Sequence, residues 1–169
     1  MPQVYVSIGS NQAPLENIRA GISKLEALVG PVQCSPVYRS VAVGFEGDDF
    51  FNLVIGFNTT LPLQTLAEAL REIEAACGRH RGEAKFAPRT LDMDILTWGD
   101  AVLEEGRLRL PREDILDYAF VLKPLADIAP HERHPVLGTR YAELWAAFSK
   151  GDAGMVDAPG FLEAEASTP

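Results

Sequence analysis

The sequence predicts an α+β domain of the ferredoxin-like, split βαβ kind: a mostly antiparallel sheet with helices packed on it. Three observations point there. Segments with a two-residue apolar period and segments with a helical period follow in the order strand, helix, strand, strand, helix, strand. Glycine and proline punctuate the joins. The 169 residues, 47% hydrophobic and 23% charged, suit one domain with an ordinary core.

Val4, Val6 and Ile8 alternate with Tyr5 and Ser7 in a first strand that ends at Gly9-Ser10-Asn11. Pro14 opens a helix, where fixed φ and a missing N–H do least harm. Its apolar positions Leu15, Ile18, Ile22, Leu25 and Leu28 keep helical spacing, and Gly30-Pro31 stops it. Val32 to Tyr38 reads as a strand interrupted at Pro36, hence an edge. Ser40 to Asp49 reads as a loop and Phe51 to Thr60 as a third strand. Leu63 to Cys77 is a second helix with Leu66, Leu70, Ile73 and Cys77 on one face, ended by Gly78.

His80 to Ala87 is polar and aperiodic and reads as a loop. Pro88 to Leu96 is a strand in which Leu91, Met93 and Ile95 alternate with Asp92 and Asp94. Ala101 to Leu103 and Arg107 to Leu110 form a hairpin closed by Glu104-Glu105-Gly106. Pro111 to Asp117 is a loop or short helix; Phe120 to Ile128 is apolar and broken by Pro124. Thr139 to Phe148 is a last helix with Tyr141, Leu144, Trp145 and Phe148 inward. The helices are expected on one face of the sheet. Residues 1–150 make the domain, and 151–169, small, acidic and rich in Gly and Pro, a flexible tail.

The formal charge of −9 argues against a broad nucleic-acid surface and against an anionic membrane face. Seven arginines (Arg71, Arg79, Arg81, Arg89, Arg107, Arg109, Arg112) nevertheless fall within one third of the chain. A local basic pocket in an acidic protein suits a small polyphosphate. Cys34 and Cys77 have no metal-type spacing, and a buried pair of free thiols is expected. The N-terminus lacks a basic stretch followed by a long apolar run, and no apolar run is long enough to span a membrane. A cytoplasmic monomer is expected.

Asp92 and Asp94 stand two apart on a strand, so their side chains share a face roughly 6.5 Å apart. Carboxylates that close disfavour each other's charge unless a cation lies between them. As hard oxygen ligands they suit Mg²⁺. Taken alone, an Asp-x-Asp pair is more often a solvated strand face. Neither Gly-x-x-x-x-Gly-Lys-Ser/Thr nor Gly-x-Gly-x-x-Gly occurs, so side chains and metal would have to hold any nucleotide's phosphates. Glu74, Arg79, Arg81, Lys85 and Arg89 flank the strand and could do so, the alternative for each being a solvated surface position. Between Ser40 and Asn52, Phe45, Phe50 and Phe51 put rings beside an amide, an arrangement that recognises a flat heterocycle. Core packing is the alternative for those rings and for Phe120. His80, His131 and His134 lack ligand spacing; His131 and His134 read as a surface turn.

Pro88-Arg89-Thr90-Leu91-Asp92-Met93-Asp94-Ile95-Leu96 resembles the signature of the 6-hydroxymethyl-7,8-dihydropterin pyrophosphokinase family. Ser7-Ile8-Gly9-Ser10-Asn11, Tyr38-Arg39-Ser40, Asp49-Phe50-Phe51-Asn52, Glu74 with Gly78-Arg79, and Ala119-Phe120-Val121-Leu122 through Pro130 resemble it in the same order. The resemblance implies transfer of pyrophosphate from ATP to the hydroxymethyl group of a reduced pterin, releasing AMP. It implies two Mg²⁺ ions on Asp92 and Asp94, with Arg79 and Arg89 joining these as catalytic residues. ATP-site positions are Glu74, Arg79, Arg81, Phe86, Arg89, Ile95, Arg109 and Arg112. Pterin-site positions are Ser40, Val43, Phe50, Asn52 and Phe120, and His80 to Ala87 corresponds to a lid over ATP.

Three departures stand out. Arg112 and Tyr118 occupy positions where much of the family has histidine and arginine, and Phe86 stands where many members have tryptophan. They leave room for a second reading, a paralogue that binds a pterin or nucleotide without efficient turnover. A third, a nucleotidyltransferase, rests on Gly9-Ser10 followed by Asp92-x-Asp94, but those parts usually lie within a short stretch.

Overall fold

Two split β-α-β units interlock in this chain. The computed structural model describes residues 1–40, 49–78, 90–152 and 154–164. Its main sheet contains β1 (Gln3–Ser10), β2 (Gln33–Cys34), β3 (Tyr38–Ser40), β4 (Phe50–Asn58), β5 (Asp92–Trp98) and β8 (Val156–Asp157). The order is β5-β1-β4-β3-β8, with β2 also against β4. β1 and β3 each lie antiparallel to β4, so β1 and β3 run parallel with β4 between them, joined through α1 (Pro14–Val29). β4 and β5 likewise run parallel with β1 between them, joined by α2 (Leu63–Ala76). This is the ferredoxin-like arrangement the sequence predicts. A hairpin of β6 (Leu103–Glu105) and β7 (Leu108–Leu110) follows, then α3 (Asp114–Asp117), α4 (Ala119–Ile128) and α5 (Tyr141–Ala146).

Helices cover both sheet faces, which corrects the one-sided expectation. Val4, Val6, Ile8, Leu53, Ile55, Met93 and Ile95 pack with Ile18, Leu25, Leu66, Leu70 and Ile73 from α1 and α2. On the other face Tyr5, Val54 and Leu96 pack with Ile115, Val121, Leu122, Leu125 and Tyr141 from α3, α4 and α5. The physical reason is visible in Leu53-Val54-Ile55, consecutive residues that are each fully buried. A strand apolar on both faces needs a layer on each. β5 also slips register: Tyr5 faces Thr97 while Val6 faces Ile95, leaving Leu96 as the extra residue.

Other expectations shift locally. Val32 to Tyr38 splits into β2 and β3 around Ser35, whose N–H donates to Val54 O (2.8 Å) and whose Oγ accepts from Val54 N (2.9 Å). Leu28 points to solvent, and Cys34 is exposed rather than buried. α4 runs through Pro124 instead of breaking there. Where composition suggests a loose tail, β8 pairs with β3, Phe161 stacks on Phe51 (4.5 Å between centroids), and Arg19 Nε donates to Leu162 O (2.9 Å).

His134 is buried, not a surface turn residue, and its Nδ1 accepts the N–H groups of Val136 (3.2 Å) and Leu137 (3.1 Å). That geometry requires the neutral ring, and burial lowers its pKa below the ordinary value. Above about pH 6.5 the imidazole is neutral in both folded and unfolded chains, and its contribution is complete. Below it the unfolded chain takes up a proton that the fold resists, so stability falls with pH. Wild-type stability should therefore fall faster between pH 7 and pH 5 than that of His134→Asn, by at most about 1.4 kcal/mol per pH unit, read as a steeper drop in Tm. Parallel Tm curves would remove His134 from the acid limb.

Candidate active site

On β5, Asp92 and Asp94 are half-buried and alternate with buried Met93 and Ile95. Their partners across β1 are Gly9 and Ser7, and the partners of those on β4 are Asn52 and Val54. Directly opposed residues share a sheet face. The row therefore continues from Asp92 over Gly9 to Asn52 and on to Tyr38 of β3. Phe50 and Ser40 oppose each other two positions further along that face. Val54, beside Asp94's row, belongs to the apolar cluster under α4, and half-buried Phe120 packs against that cluster. The structure thus brings Asp92, Asp94, Ser40, Phe50, Asn52 and Phe120 to one face. Val43 lies outside the described residues.

Gly9 makes the middle of this row possible. A Cβ there would stand 2.6 Å from Asn52 Nδ2, so only glycine lets the amide lie across β1 toward Asp92. The obstructed atom is a side-chain tip, which can move at modest cost. Gly9→Ala is accordingly expected to lower Tm by only a few degrees while weakening a ligand held by the Asn52 amide about tenfold. Equal affinity in calorimetry would show that the amide does not hold the ligand.

α4 is tied to β3 at its far end. The Tyr38 hydroxyl donates to Asp127 Oδ2, and Lys123 Nζ lies 2.7 Å from Asp127 Oδ1. Burial and the Asp127 carboxylate push the Tyr38 pKa up, so it stays a donor. Phe120, Lys123 and Asp127 follow helical spacing and share one side of α4. This fixes the Phe120 side against the strand carrying Ser40. Tyr118 stacks on Phe120 with centroids 4.9 Å apart and planes inclined by 21°.

Glu74 is 2% exposed, and its Oε2 accepts the N–H of Met93 at 2.8 Å. β5 is an edge strand, so a carboxylate from α2 caps a backbone donor between the two aspartates. Ser10 Oγ donates to Thr90 O (2.6 Å), holding the approach to β5 against the end of β1. Ile95 is buried in the α1–α2 cluster.

Arg112 reaches the carboxylates from the other side of β5. Its N–H donates to Leu96 O (2.9 Å), its Nη2 is 3.8 Å from Asp94 Oδ2, and its Nε is 3.2 Å from Asp114 Oδ2. Arg109 instead sits in exposed pairs with Glu104 (3.1 Å) and Glu113 (2.9 Å). Arg79, Arg81, Lys85, Phe86 and Arg89, with the expected lid over 80–87, lie outside the described residues.

A groove of about 490 Å³ between α2 and the β6–β7 turn was not legible as a site. It is lined by Gln64, Arg71, Glu105, Arg107 and Leu108. The two arginines are far apart in sequence and meet only through topology, so no spacing rule announces them.

Asp92 and Asp94 fit a hard divalent cation. Among the described residues no group of three His, Cys, Asp or Glu side chains forms a metal cluster. A pair of carboxylates, with waters and phosphate oxygens completing the shell, is a usual donor set for Mg²⁺.

Residues 5–130 match the family model described as 7,8-dihydro-6-hydroxymethylpterin-pyrophosphokinase (HPPK). The chain is similar to the 2-amino-4-hydroxy-6-hydroxymethyldihydropteridine pyrophosphokinase of Pseudomonas aeruginosa, 42% identical over 149 residues, covering 86% of this chain and 91% of that one. The Synechocystis protein of the same name is 38% identical over 143 residues, covering 82% and 72%. Among solved structures, the fold is similar to wild-type HPPK-DHPS of Plasmodium falciparum crystallised with SDX-DHP, with a TM-score of 0.67 and 14% identity. That match covers 86% of this chain and 43% of the Plasmodium chain, so the present chain spans less than half of that protein.

Proposed function

The chain belongs to the 7,8-dihydro-6-hydroxymethylpterin-pyrophosphokinase family, and from that premise we propose how the face bearing Asp92 and Asp94 runs its reaction. The protein is a pyrophosphokinase of folate biosynthesis. It transfers pyrophosphate from ATP to the hydroxymethyl group of 6-hydroxymethyl-7,8-dihydropterin and releases AMP. The pterin hydroxymethyl oxygen attacks the β-phosphorus, the bond from that phosphorus to the α-phosphate oxygen breaks with AMP as the leaving group, and the hydroxyl proton is released to solvent.

The observation that carries the assignment of sites is the shared face. Asp92 and Asp94 stand in one row with Asn52, and Ser40, Phe50 and Phe120 lie on the same side. Asp92 and Asp94 would hold Mg²⁺, two ions in the family pattern, and the chemistry supplied there would be neutralisation of triphosphate charge. Asn52 and Ser40 supply donors and acceptors for the edge of the pterin, and Phe50 and Phe120 supply ring faces for its plane. Arg112 neutralises phosphate charge beside Asp94, and Glu74 holds the β5 backbone between the two aspartates. Arg79, Arg81, Phe86, Arg89, Ile95 and Arg109 keep the ATP-side roles the resemblance implies, Arg79 and Arg89 being those it also assigns to catalysis. The groove lined by Arg71 and Arg107 borders α2 and the hairpin and offers further room for the nucleotide. Catalysis of this kind asks a protein for alignment and charge neutralisation, which this residue set supplies.

Both substrates are small molecules, and no described helix is long and apolar enough to cross a membrane. The protein works as a cytoplasmic monomer. Incubation with ATP, Mg²⁺ and 6-hydroxymethyl-7,8-dihydropterin should yield AMP and a pterin diphosphate in equal amounts, followed by chromatography. Omitting either the pterin or the metal should stop both. Absence of AMP with all three present would overturn the reading.

A further inference from the structure

Arg112 brings a positive charge beside one of the two strand carboxylates. Its Nη2 lies 3.8 Å from Asp94 Oδ2, while its solvent-excluded Nε lies 3.2 Å from Asp114 Oδ2. Its backbone is fixed by the bond to Leu96 O, two residues beyond Asp94 on the same strand. The guanidinium therefore lies between Asp114 and Asp94, with a terminal nitrogen turned toward Asp94. The side chains of Arg112, Asp94 and Asp114 are each about one-third exposed (35%, 30% and 32%), so the cluster is open enough to exchange partners.

We propose that Arg112 is an internal counter-ion of Asp94, tethered by Asp114, which opposes loading of a divalent cation until a polyphosphate arrives to take over the guanidinium. This rests on the reading of Asp92 and Asp94 as metal ligands. Metal and nucleotide then enter together, and the free protein has low affinity for the metal alone. The reasoning is electrostatic. A fixed positive charge a few ångströms from the ligand opposes a second cation. A phosphate oxygen is a better partner for a guanidinium fork than one distant carboxylate oxygen. Asp114 acts as a positioning residue: its carboxylate pairs in charge with the guanidinium, 3.2 Å from an Nε that has no hydrogen-bond partner among the described residues, and so biases the terminal nitrogens toward Asp94.

The test uses Mn²⁺ alone, without nucleotide, and reads free metal by electron paramagnetic resonance. Arg112→Gln should bind Mn²⁺ three- to tenfold more tightly than wild type. Arg112→Lys keeps the charge and should stay nearer wild type than the glutamine variant. Arg112→Gln should also weaken binding of a non-hydrolysable ATP analogue with Mg²⁺. Equal or weaker Mn²⁺ binding in Arg112→Gln overturns the proposal, as does a lysine variant that tightens as much as the glutamine one. Failure here with AMP still produced by wild type would remove the counter-ion role and leave the pyrophosphokinase reading standing.

Discussion

Asp94→Asn is expected to reduce kcat about a thousandfold or more while leaving Tm unchanged or slightly higher. The substitution removes one of the two carboxylates proposed to hold Mg²⁺, so on that reading transition-state charge loses part of its neutralisation. A thousandfold loss corresponds to about 4 kcal/mol, within what a metal-held phosphoryl centre supplies. The fold has little at stake. The Asp94 side chain is 30% exposed and isosteric with asparagine, and its loss sets relief of repulsion from Asp92 on the same face against the long, partly exposed pair with Arg112. Activity and Tm should therefore move independently. A collapse of Tm with activity retained per folded molecule would make Asp94 a structural residue. Mg²⁺ titration of the variant gives a second reading, since a weakened metal site shifts the activating concentration upward.

Glu74→Ala is expected to damage both stability and turnover. The variant leaves the buried Met93 N–H without its acceptor, and a charge-assisted bond of this kind is worth about 1.5–3 kcal/mol. For a domain of this size that corresponds to a Tm lowered by roughly 5–10 °C. Because Met93 stands between Asp92 and Asp94, slackening its N–H lets the carboxylates drift, and misplacement on the scale of 1 Å costs about a hundredfold in rate. Glu74→Gln retains an acceptor oxygen and should recover most of the Tm. Thermal melting and steady-state kinetics on both variants decide it. A Glu74→Ala protein as stable and as active as wild type would show that the bond neither holds the edge strand nor positions the aspartates.

The alternation of Asp92 and Asp94 with Met93 and Ile95 was legible because period two determines faces without knowledge of neighbours. The same rule read Val4, Val6 and Ile8 correctly. It could not show that Tyr5, Val54 and Leu96 were also covered, because a second helical layer comes from α4 and α5, distant in sequence. Residue type misled at Glu74 and His134: both are usually exposed, and both are buried here with specific backbone donors. The opposite happened at Leu28, which kept helical spacing at the last turn of α1 but points beyond the sheet. Pro124 marked a break in pattern, yet packing of α4 against the β4 face held the helix through it. Of the site, Asn52 and Phe50 were recognisable as types, but their alignment with Asp92 depends on a register that passes through Gly9. Arg71 and Arg107 were visible as members of an arginine-rich third of the chain, but nothing local said that these two would line one groove.

The final turns of the described chain give the sheet a hem. β8 lies along β3, Ala158 donates to Val37 O (2.9 Å), and Phe161 rests on Phe51. Many sheets guard a rim with charges or prolines; this one folds its own late residues over it. The rim so finished bears Tyr38 and Ser40, the far end of the row that begins at Asp92. The straightness of the pocket wall is thus borrowed from a stretch more than a hundred positions downstream. Substitutions near 156–161, though far from any ligand, belong to the architecture of substrate fit.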